Sequence, residues 1–292
     1  MTPSSPRICV LGSITQDIVA SAPHLPRPGE TITGASLARY PGGKGANQAF
    51  AAQRLGAQVS LLACTGADGA APEALALLRA EGVDLSHMQT TKEAHTGIAL
   101  ICVSTETGEN QISVAPGANR LLRLPPLAAP QFDGAMCQLE APLDVLRAAR
   151  SYAPFLCLNA APALALPEDL LFAPDLLIVN ETEAAFYGEA LHRAPGLIAL
   201  TLGEHGAVLL RGGHEIARHA GFRVDVVDTT GAGDCFSAAL VVALLRGQAP
   251  DAALAFACGA GALACTQPGA QPSAPSQAAL AQFLAARTAQ SP

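Results

Sequence analysis

The run Asp228-Thr229-Thr230-Gly231-Ala232-Gly233-Asp234 stands directly before the apolar segment Cys235–Leu245. Two glycines and an alanine occupy the point where the strand-like stretch Phe222–Val227 must turn into a helix. Without bulky side chains there, successive backbone N–H groups can converge in front of the helix N-terminus. Such a pocket attracts negative charge, because first-turn donors lack intrahelical partners and the helix dipole adds partial positive charge. Asp234 places a carboxylate beside it. An anion cradle next to a base is what phosphoryl transfer to a hydroxyl needs: the cradle holds the migrating oxygens while the acid takes the hydroxyl proton. Read alone, the heptapeptide also fits a capped helix start, with Asp234 complementing the dipole.

A second glycine-rich run, Pro41-Gly42-Gly43-Lys44-Gly45-Ala46-Asn47, also precedes a helix. Its glycine pair permits close backbone approach to a ligand, and Lys44 and Asn47 project donors from the helix start. Near the N-terminus, Gly12-Ser13-Ile14-Thr15-Gln16-Asp17 follows the first strand and puts Asp17 at its carboxyl edge, either to grip sugar hydroxyls or to cap a turn. The sequence has no G-x-x-x-x-G-K-[ST] loop and no G-x-G-x-x-G after a strand, which disfavours a nicotinamide oxidoreductase.

The elements that must position these residues alternate between short β-prone runs and helical patterns. Ile8–Leu11 and Val59–Ala63 read as buried strands flanking a helix over Ala46–Leu55, with a second helix over Pro72–Glu81. Thr96–Val103 and Gln111–Val114 read as a hairpin. Further strands are expected at Phe155–Leu158, Leu176–Val179, Leu197–Leu202 and Ala207–Leu210. Further helices are expected at Leu143–Arg150, Cys235–Leu245, Ala252–Ala264 and Gln277–Arg287. This alternation predicts an α/β fold: three layers, doubly wound around a mostly parallel central sheet, with ligands at the strands' carboxyl edge. His24–Tyr40 and Thr96–Val114 fit that sheet poorly and read as a small β-sheet lid, near 13–41 and 96–118. The Leu124–Pro130 stretch reads as a loop, so residues 1–292 are expected to form one domain.

Half of the 292 residues are hydrophobic and 14% charged, enough to bury a sizeable core. The charge of −7, from 24 acids and 17 bases with no Lys/Arg block, argues against nucleic acid or an anionic membrane as partner. Met1–Pro6 lacks a basic-then-apolar leader pattern, and no apolar run reaches membrane-spanning length, so a cytoplasmic location is expected. Eight scattered cysteines without a C-x-x-C pair read as buried free thiols.

Gly42-Gly43-Lys44-Gly45-Ala46-Asn47-Gln48 together with Asp228–Asp234 resembles the two signatures of the ribokinase family of carbohydrate kinases. Further matches in order run nearly end to end: Leu11-Gly12-Ser13-Ile14, Pro28-Gly29-Glu30-Thr31, Ala63-Cys64-Thr65-Gly66, Gln138-Leu139-Glu140, Asn180-Glu181-Thr182-Glu183, Thr201-Leu202-Gly203 and Gly269-Ala270-Gln271-Pro272-Ser273. The resemblance implies ATP-dependent phosphorylation of the primary hydroxyl of D-ribose. Asp234 would be the base and the amides of Gly231, Ala232 and Gly233 the anion hole. It implies that Asp17, Gly43, Lys44, Asn47 and Glu140 hold the sugar, a donor–acceptor mixture suited to a polyol. Asn180 and Glu183 would serve Mg²⁺ and phosphate positioning, and Thr201, Gly203 and Cys258 the nucleotide. Asp228, Thr230, Ala264, Gln267, Gly269 and Ser273 would enclose a monovalent cation, usually K⁺.

Two departures qualify the resemblance. Thr15 stands where the family commonly carries Asn for a ribose hydroxyl, which points to altered affinity or a shift toward 2-deoxyribose. Between Glu183 and Thr201 only Ala184–Gly196 replaces a whole helix plus linker, which puts packing on that face in doubt. The rival readings are a nucleoside kinase and a sugar sensor without catalysis. No tryptophan and three tyrosines offer little wall for a base, and an intact Asp234 argues against a sensor. The lid, as an exposed edge sheet, is expected to pair in a homodimer.

Overall fold

The computed structural model describes residues 5–125 and 127–288. Residues 1–4 of the N-terminal segment and Pro126 of the Leu124–Pro130 loop lie outside the described residues. The chain opens with β1 (Arg7–Leu11) and leaves it through Gly12 into β2 (Thr15–Ala22) and β3 (Ser36–Gly42). Helix α1 (Lys44–Arg54) leads to β4 (Gln58–Leu62) and β5 (Cys64–Gly66). Short helices α2 (Ala70–Ala74) and α3 (Ala76–Ala80) precede β6 (Gln89–Thr91), β7 (Gly97–Ser104) and β8 (Asn110–Ala115). Strands and helices then alternate: β9 (Gly134–Gln138), α4 (Leu143–Ala149), β10 (Phe155–Asn159), α5 (Glu168–Leu171), β11 (Leu176–Asn180) and α6 (Glu181–Tyr187). After β12 (Leu197–Thr201) come β13 (Ala207–Arg211) and β14 (His214–His219). The chain closes with α7 (Ala232–Leu245), α8 (Pro250–Ala264), α9 (Ala270–Ser273) and α10 (Gln277–Thr288).

Eight strands form the central sheet in the order β14-β13-β12-β11-β10-β9-β1-β4, and only β13 runs against the rest, so its pairings with β12 and β14 are antiparallel. Both faces are covered, as a parallel sheet requires. Ile8, Val10, Met136 and Ile178 point into one core with α1, α7 and α8. Their strand neighbours Cys9, Leu11, Leu177 and Val179 point into the other with α4 and α5. Alanines 238, 239, 243, 253, 257 and 260 are fully buried on α7 and α8, so those helices can approach closely.

The order fixes where ligands can dock. From β1 the chain crosses to β4 on one side and later returns to β9 on the other. The carboxyl ends of β1 and β9 therefore diverge into a crevice at the switch point. A four-stranded sheet, β3-β2-β7-β8, rises beside it as the lid. At the hinge between β1 and β2, Asn119 accepts from the Ile14 N–H at 2.9 Å and donates to the Ile14 carbonyl at 2.8 Å. One side chain thereby satisfies a backbone unit that has left one sheet and not yet joined the next.

Several expectations need correction. Phe222–Val227 forms no strand: it pairs with nothing beyond β14, and the Val227 N–H goes instead to the carbonyl of Cys265. Asp17 lies inside lid strand β2 rather than at the end of β1, because Gly12 and Ser13 already carry the chain out of the main sheet. The Pro72–Glu81 helix is two short helices that meet at the buried Leu75. In the shortened segment, α6 and a 3₁₀ stretch over Gly188–Arg193 still pack Tyr187, Leu191 and Ala194 against the second core. Among the described residues no helix is long and apolar enough to cross a membrane. Asn119→Ala leaves both backbone groups of buried Ile14 without partners, and we expect a loss of about 2 kcal/mol or more. The measurement is the urea midpoint at unchanged slope; an unaltered midpoint contradicts the hinge role.

Candidate active site

Two helix N-termini face each other at the switch point. Helix α1 starts after Gly43, whose φ of +92° and contact with the backbone of Ser13–Thr15 exclude a side chain. Lys44, Asn47 and Gln48, at i, i+3 and i+4, share one face of its first turns. Helix α7 starts after Gly231, at φ +79°, where an added Cβ would fall 2.7 Å from Ala270. Asp234 sits in the first turn of α7 and is 8% exposed. Asn47 donates to its Oδ2 at 2.9 Å and Gln48 to its Oδ1 at 3.0 Å.

The other acids close around Lys44. Glu140, just past β9, accepts from the Lys44 backbone N–H at 3.2 Å and from the Ser13 hydroxyl, with the Lys44 ammonium 3.9 Å away. Asp17 lies over Gly42, where any Cβ would collide with its carboxylate, and accepts from the Thr15 hydroxyl at 2.6 Å. Burial pushes the Asp234 carboxyl above its ordinary value, against the pull of Lys44, Asn47 and Gln48. Burial likewise raises Asp17, helped by Glu140 and Asp234 and opposed by the Thr15 hydrogen bond. Lys44 is held above its ordinary value: burial works against its charge, but Asp234, Glu140, Glu183 and Asp17 outweigh it. One cation thus serves four carboxylates.

Two cavities flank this cluster. A cleft of about 400 Å³ under the lid is lined by Ser13, Thr15, Asn119, Arg120 and Glu140, among others. A longer groove of about 920 Å³ runs past Thr201, Gly203, Val226, Ala232, Gly233 and Cys258. A Cβ added at Gly233 would meet nothing within 4 Å, so the helix start opens onto that groove. The groove's walls are mostly apolar or glycine, which suits a flat ring, and its end is a helix N-terminus, which suits an anion.

Asn180 and Glu183 lie at the carboxyl end of β11, locked in a reciprocal capping box: Glu183 N–H to Asn180 at 2.8 Å, Asn180 N–H to Glu183 at 2.9 Å. Burial raises Glu183 despite that bond. Asp228 accepts from Thr230 N–H at 2.9 Å and from Gly269 N–H at 2.8 Å, tying the turn before α7 to the connection between α8, which ends at Ala264, and α9, which ends at Ser273, with Gln267 between them. Burial works against its charge, but these bonds hold its carboxyl below the usual value. Among the described residues no group of three His, Cys, Asp or Glu could hold a metal ion, so any divalent ion would rely on water and phosphate oxygens. Sequence reasoning gave no role to Ser13, Gln48, Asn119, Gln138 or Asn159, all polar and held by the site's hydrogen bonds. For Gln48 the signal was present: it follows Asn47 on the helix face that carries Lys44.

The family model described as pfkB family carbohydrate kinase matches residues 5–277. The chain is 36% identical over 301 residues to the ribokinase of Haemophilus influenzae, covering 95% of this chain and 98% of that one. To the ribokinase of Bacillus subtilis it is 36% identical over 293 residues, covering 95% and 99%. The structure of Arabidopsis thaliana ribokinase complexed with ribose and ATP superimposes with a TM-score of 0.84 at 28% identity, covering 96% of this chain and 99% of that one.

The raised acids set an expected pH dependence of stability. Above its folded pKa, an ionised Asp17 costs folding free energy; the cost fades as pH falls toward the unfolded value of about 3.9. Asp17→Asn keeps an acceptor for Thr15 and removes the charge. It should melt a few degrees above the wild type at pH 8, the gap closing toward pH 4. A variant that melts below the wild type at pH 8 contradicts this electrostatic account.

Proposed function

The chain belongs to the pfkB family of carbohydrate kinases, and from that premise we propose that it transfers the γ-phosphoryl group of ATP to the primary hydroxyl of D-ribose, giving D-ribose 5-phosphate and ADP. The observation that carries this reading is the placement of Asp234. It stands at the first turn of α7, touching the Lys44–Asn47 turn, whose Lys44 meets the cleft-lining Glu140, while its neighbours Ala232 and Gly233 open onto the groove. The groove takes the nucleotide, with Thr201, Gly203 and Cys258 along its wall. The cleft side takes the sugar, with Asp17 and Glu140 accepting from its hydroxyls and Lys44 and Asn47 donating.

The reaction follows from that geometry. The Asp234 carboxylate accepts the proton of the primary hydroxyl as its oxygen forms a bond to the γ-phosphorus. The bond from that phosphorus to the bridging oxygen of ADP breaks, and its electron pair leaves with ADP. The main-chain N–H groups of Gly231 and Gly233 and the helix dipole meet the charge on the phosphoryl oxygens, and the Ala232 N–H, which donates to the Thr229 carbonyl at 3.2 Å, joins them once that bond opens. Burial of Asp234 raises its basicity, which helps proton removal, while Lys44, Asn47 and Gln48 oppose that rise by favouring the charged form.

Four carboxylates around one lysine leave this cluster short of positive charge for a polyphosphate. That deficit supports a Mg²⁺ requirement, and Glu183 and Asn180 would be the residues that bind its waters and the phosphates. Bound Mg²⁺ would neutralise phosphate charge. The tie between Asp228 and Gly269 brings together the two segments whose residues Asp228, Thr230, Ala264, Gln267, Gly269 and Ser273 would hold K⁺ beside the anion hole. Thr15 spends its hydroxyl proton on Asp17, so it has none to offer a sugar oxygen. That favours a shift toward 2-deoxyribose relative to relatives with an amide there. Strand alternation puts Ile18, Leu37 and Leu100 on the lid face opposite Asp17, with Leu37 61% and Leu100 52% exposed. An apolar sheet face of this kind supports a homodimer through the lid.

The test is ADP release with a panel of pentoses, with and without Mg²⁺ and K⁺. Ribose or 2-deoxyribose should drive turnover, and Asp234→Asn should lower kcat about 10³-fold or more with both KM values nearly kept. An Asp234→Asn enzyme at full rate ends the general-base reading. A rate on ribose far above that on 2-deoxyribose refutes the specificity shift. Sedimentation at micromolar concentration should show a dimer, and a monomer there removes the lid interface.

A further inference from the structure

We propose that Gln48, backed by Gln138, is a positioning residue that fixes the orientation of Asp234 through a directed line of side-chain amides. The inference rests on the reading of Asp234 as the base. An ionised carboxylate only accepts hydrogen bonds, so the group facing it must be an amide N–H. Gln48 meets that condition: its Nε2 donates to Asp234 Oδ1 at 3.0 Å and to Asn159 Oδ1 at 3.4 Å. Both of its protons are thereby spoken for, and its oxygen must point away from the acid. There Gln138 Nε2 donates to it at 2.6 Å. No amide in this line can turn over without setting oxygen against oxygen.

The other carboxylate oxygen is held in the same way. Asn47 Nδ2 donates to Asp234 Oδ2 at 2.9 Å, and Gln271 Nε2 approaches Asn47 Oδ1 at 3.4 Å. Two consecutive residues of α1 thus pin the two oxygens, each backed by a glutamine from a distant element: β9 for one and α9 for the other. A carboxylate has about four acceptor positions. With two of them occupied by fixed donors, the remaining positions are held at a set angle to an incoming hydroxyl.

A separate observation points the same way. Among the described residues only three buried side-chain N or O atoms lack a partner, and two of these are Gln138 Oε1 and Gln271 Oε1. A buried carbonyl without a donor is costly, and an apolar side chain of the same shape would avoid the cost. The two outer glutamines therefore sit where stability does not ask for them, and each uses its nitrogen to hold an inner amide. The backbone also makes room: a Cβ on Gly12 would fall 2.1 Å from Gln138 Oε1.

Gln138→Met tests the line without touching Asp234, and Gln48→Met tests it directly. Lys44, Glu140, Asp17 and Cys235, the charged or titratable groups coupled to Asp234, are left in place by both. Full-length enzyme is assayed with ATP and the preferred pentose from pH 5 to 9, beside Asp234→Asn and thermal melting of each chain. We expect kcat to fall about tenfold or more with both KM values within about threefold. The acid limb of kcat should move up by about one pH unit, because the ionised acid loses a donor in Gln48→Met and keeps one that is no longer held in place in Gln138→Met. Gln138→Met should melt within a few degrees of the wild type. Unchanged kcat in Gln138→Met, a fall in kcat with no movement of the acid limb, or a Gln138→Met chain that does not fold each overturns the positioning role. If Gln48→Met alone does not fold, Gln138→Met decides. An inert Asp234→Asn beside a fully active Gln138→Met removes the amide line alone, whereas an active Asp234→Asn removes the base.

Discussion

A carboxylate taken almost wholly out of water is the constraint around which this molecule is arranged. In a medium of low polarity an isolated acid takes up a proton and ceases to be a base. Asp234 is buried between helices, and burial does push its carboxyl upward. What opposes that push comes from one turn of one other helix: the Lys44 charge and the amides of Asn47 and Gln48. The first turns of α1 and α7 must therefore face each other, although 190 residues separate Lys44 from Asp234 in sequence. The close packing of two alanine-rich helices on one sheet face supplies that meeting, and the glycines at 43, 45 and 231 let their N-termini sit against neighbouring backbone.

The sheet order then decides what reaches the acid. Because the chain crosses from β1 to β4 and comes back to β9, residues just beyond β1 and β9 border one crevice. Ser13 and Glu140 meet there, and Glu140 reaches the backbone of Lys44. The lid contributes Asp17 from the opposite side, and its hinge is fixed by Asn119 rather than by a sheet ladder. In the proposed reaction, sugar hydroxyls would replace water as the donors that these acids otherwise lack.

Much of this was legible in the sequence because chemistry was concentrated in two short runs. Gly-Gly-Lys-Gly and the heptapeptide ending at Asp234 announce strained turns ahead of helices, and both turns carry glycine φ values above +75°. The parallel sheet was legible from Leu176–Val179 and its kin, where burial on both faces gives uninterrupted apolar runs. β9 was not, because Gly-Ala-Met-Cys-Gln has no β-branched residue and takes its strand character from two flanking partners. β14 was hidden by its polar edge pattern, and Phe222–Val227 looked like a strand because propensity cannot report that no partner exists. The amides at 48, 138 and 271 were quoted within motifs yet carried no legible role. Their meaning lies in which atom faces which, and a sequence holds no record of that.

The uneven distribution of charge gives the clearest link between fold and chemistry. Four acids and one lysine surround the acceptor side, whereas the basic side chains among those lining the groove are Arg223 and His205. On the proposed reading, a triphosphate entering that groove would be met chiefly by backbone N–H groups and by whatever cations travel with it. Main-chain donors at a helix N-terminus are fixed in place before the reaction begins, so they stabilise charge on the migrating group without rearranging. Mobile cations can instead enter and leave with the nucleotide. Such a division would leave the protein's own charges free to serve the sugar, and it would account for so acidic a cluster beside a polyphosphate site.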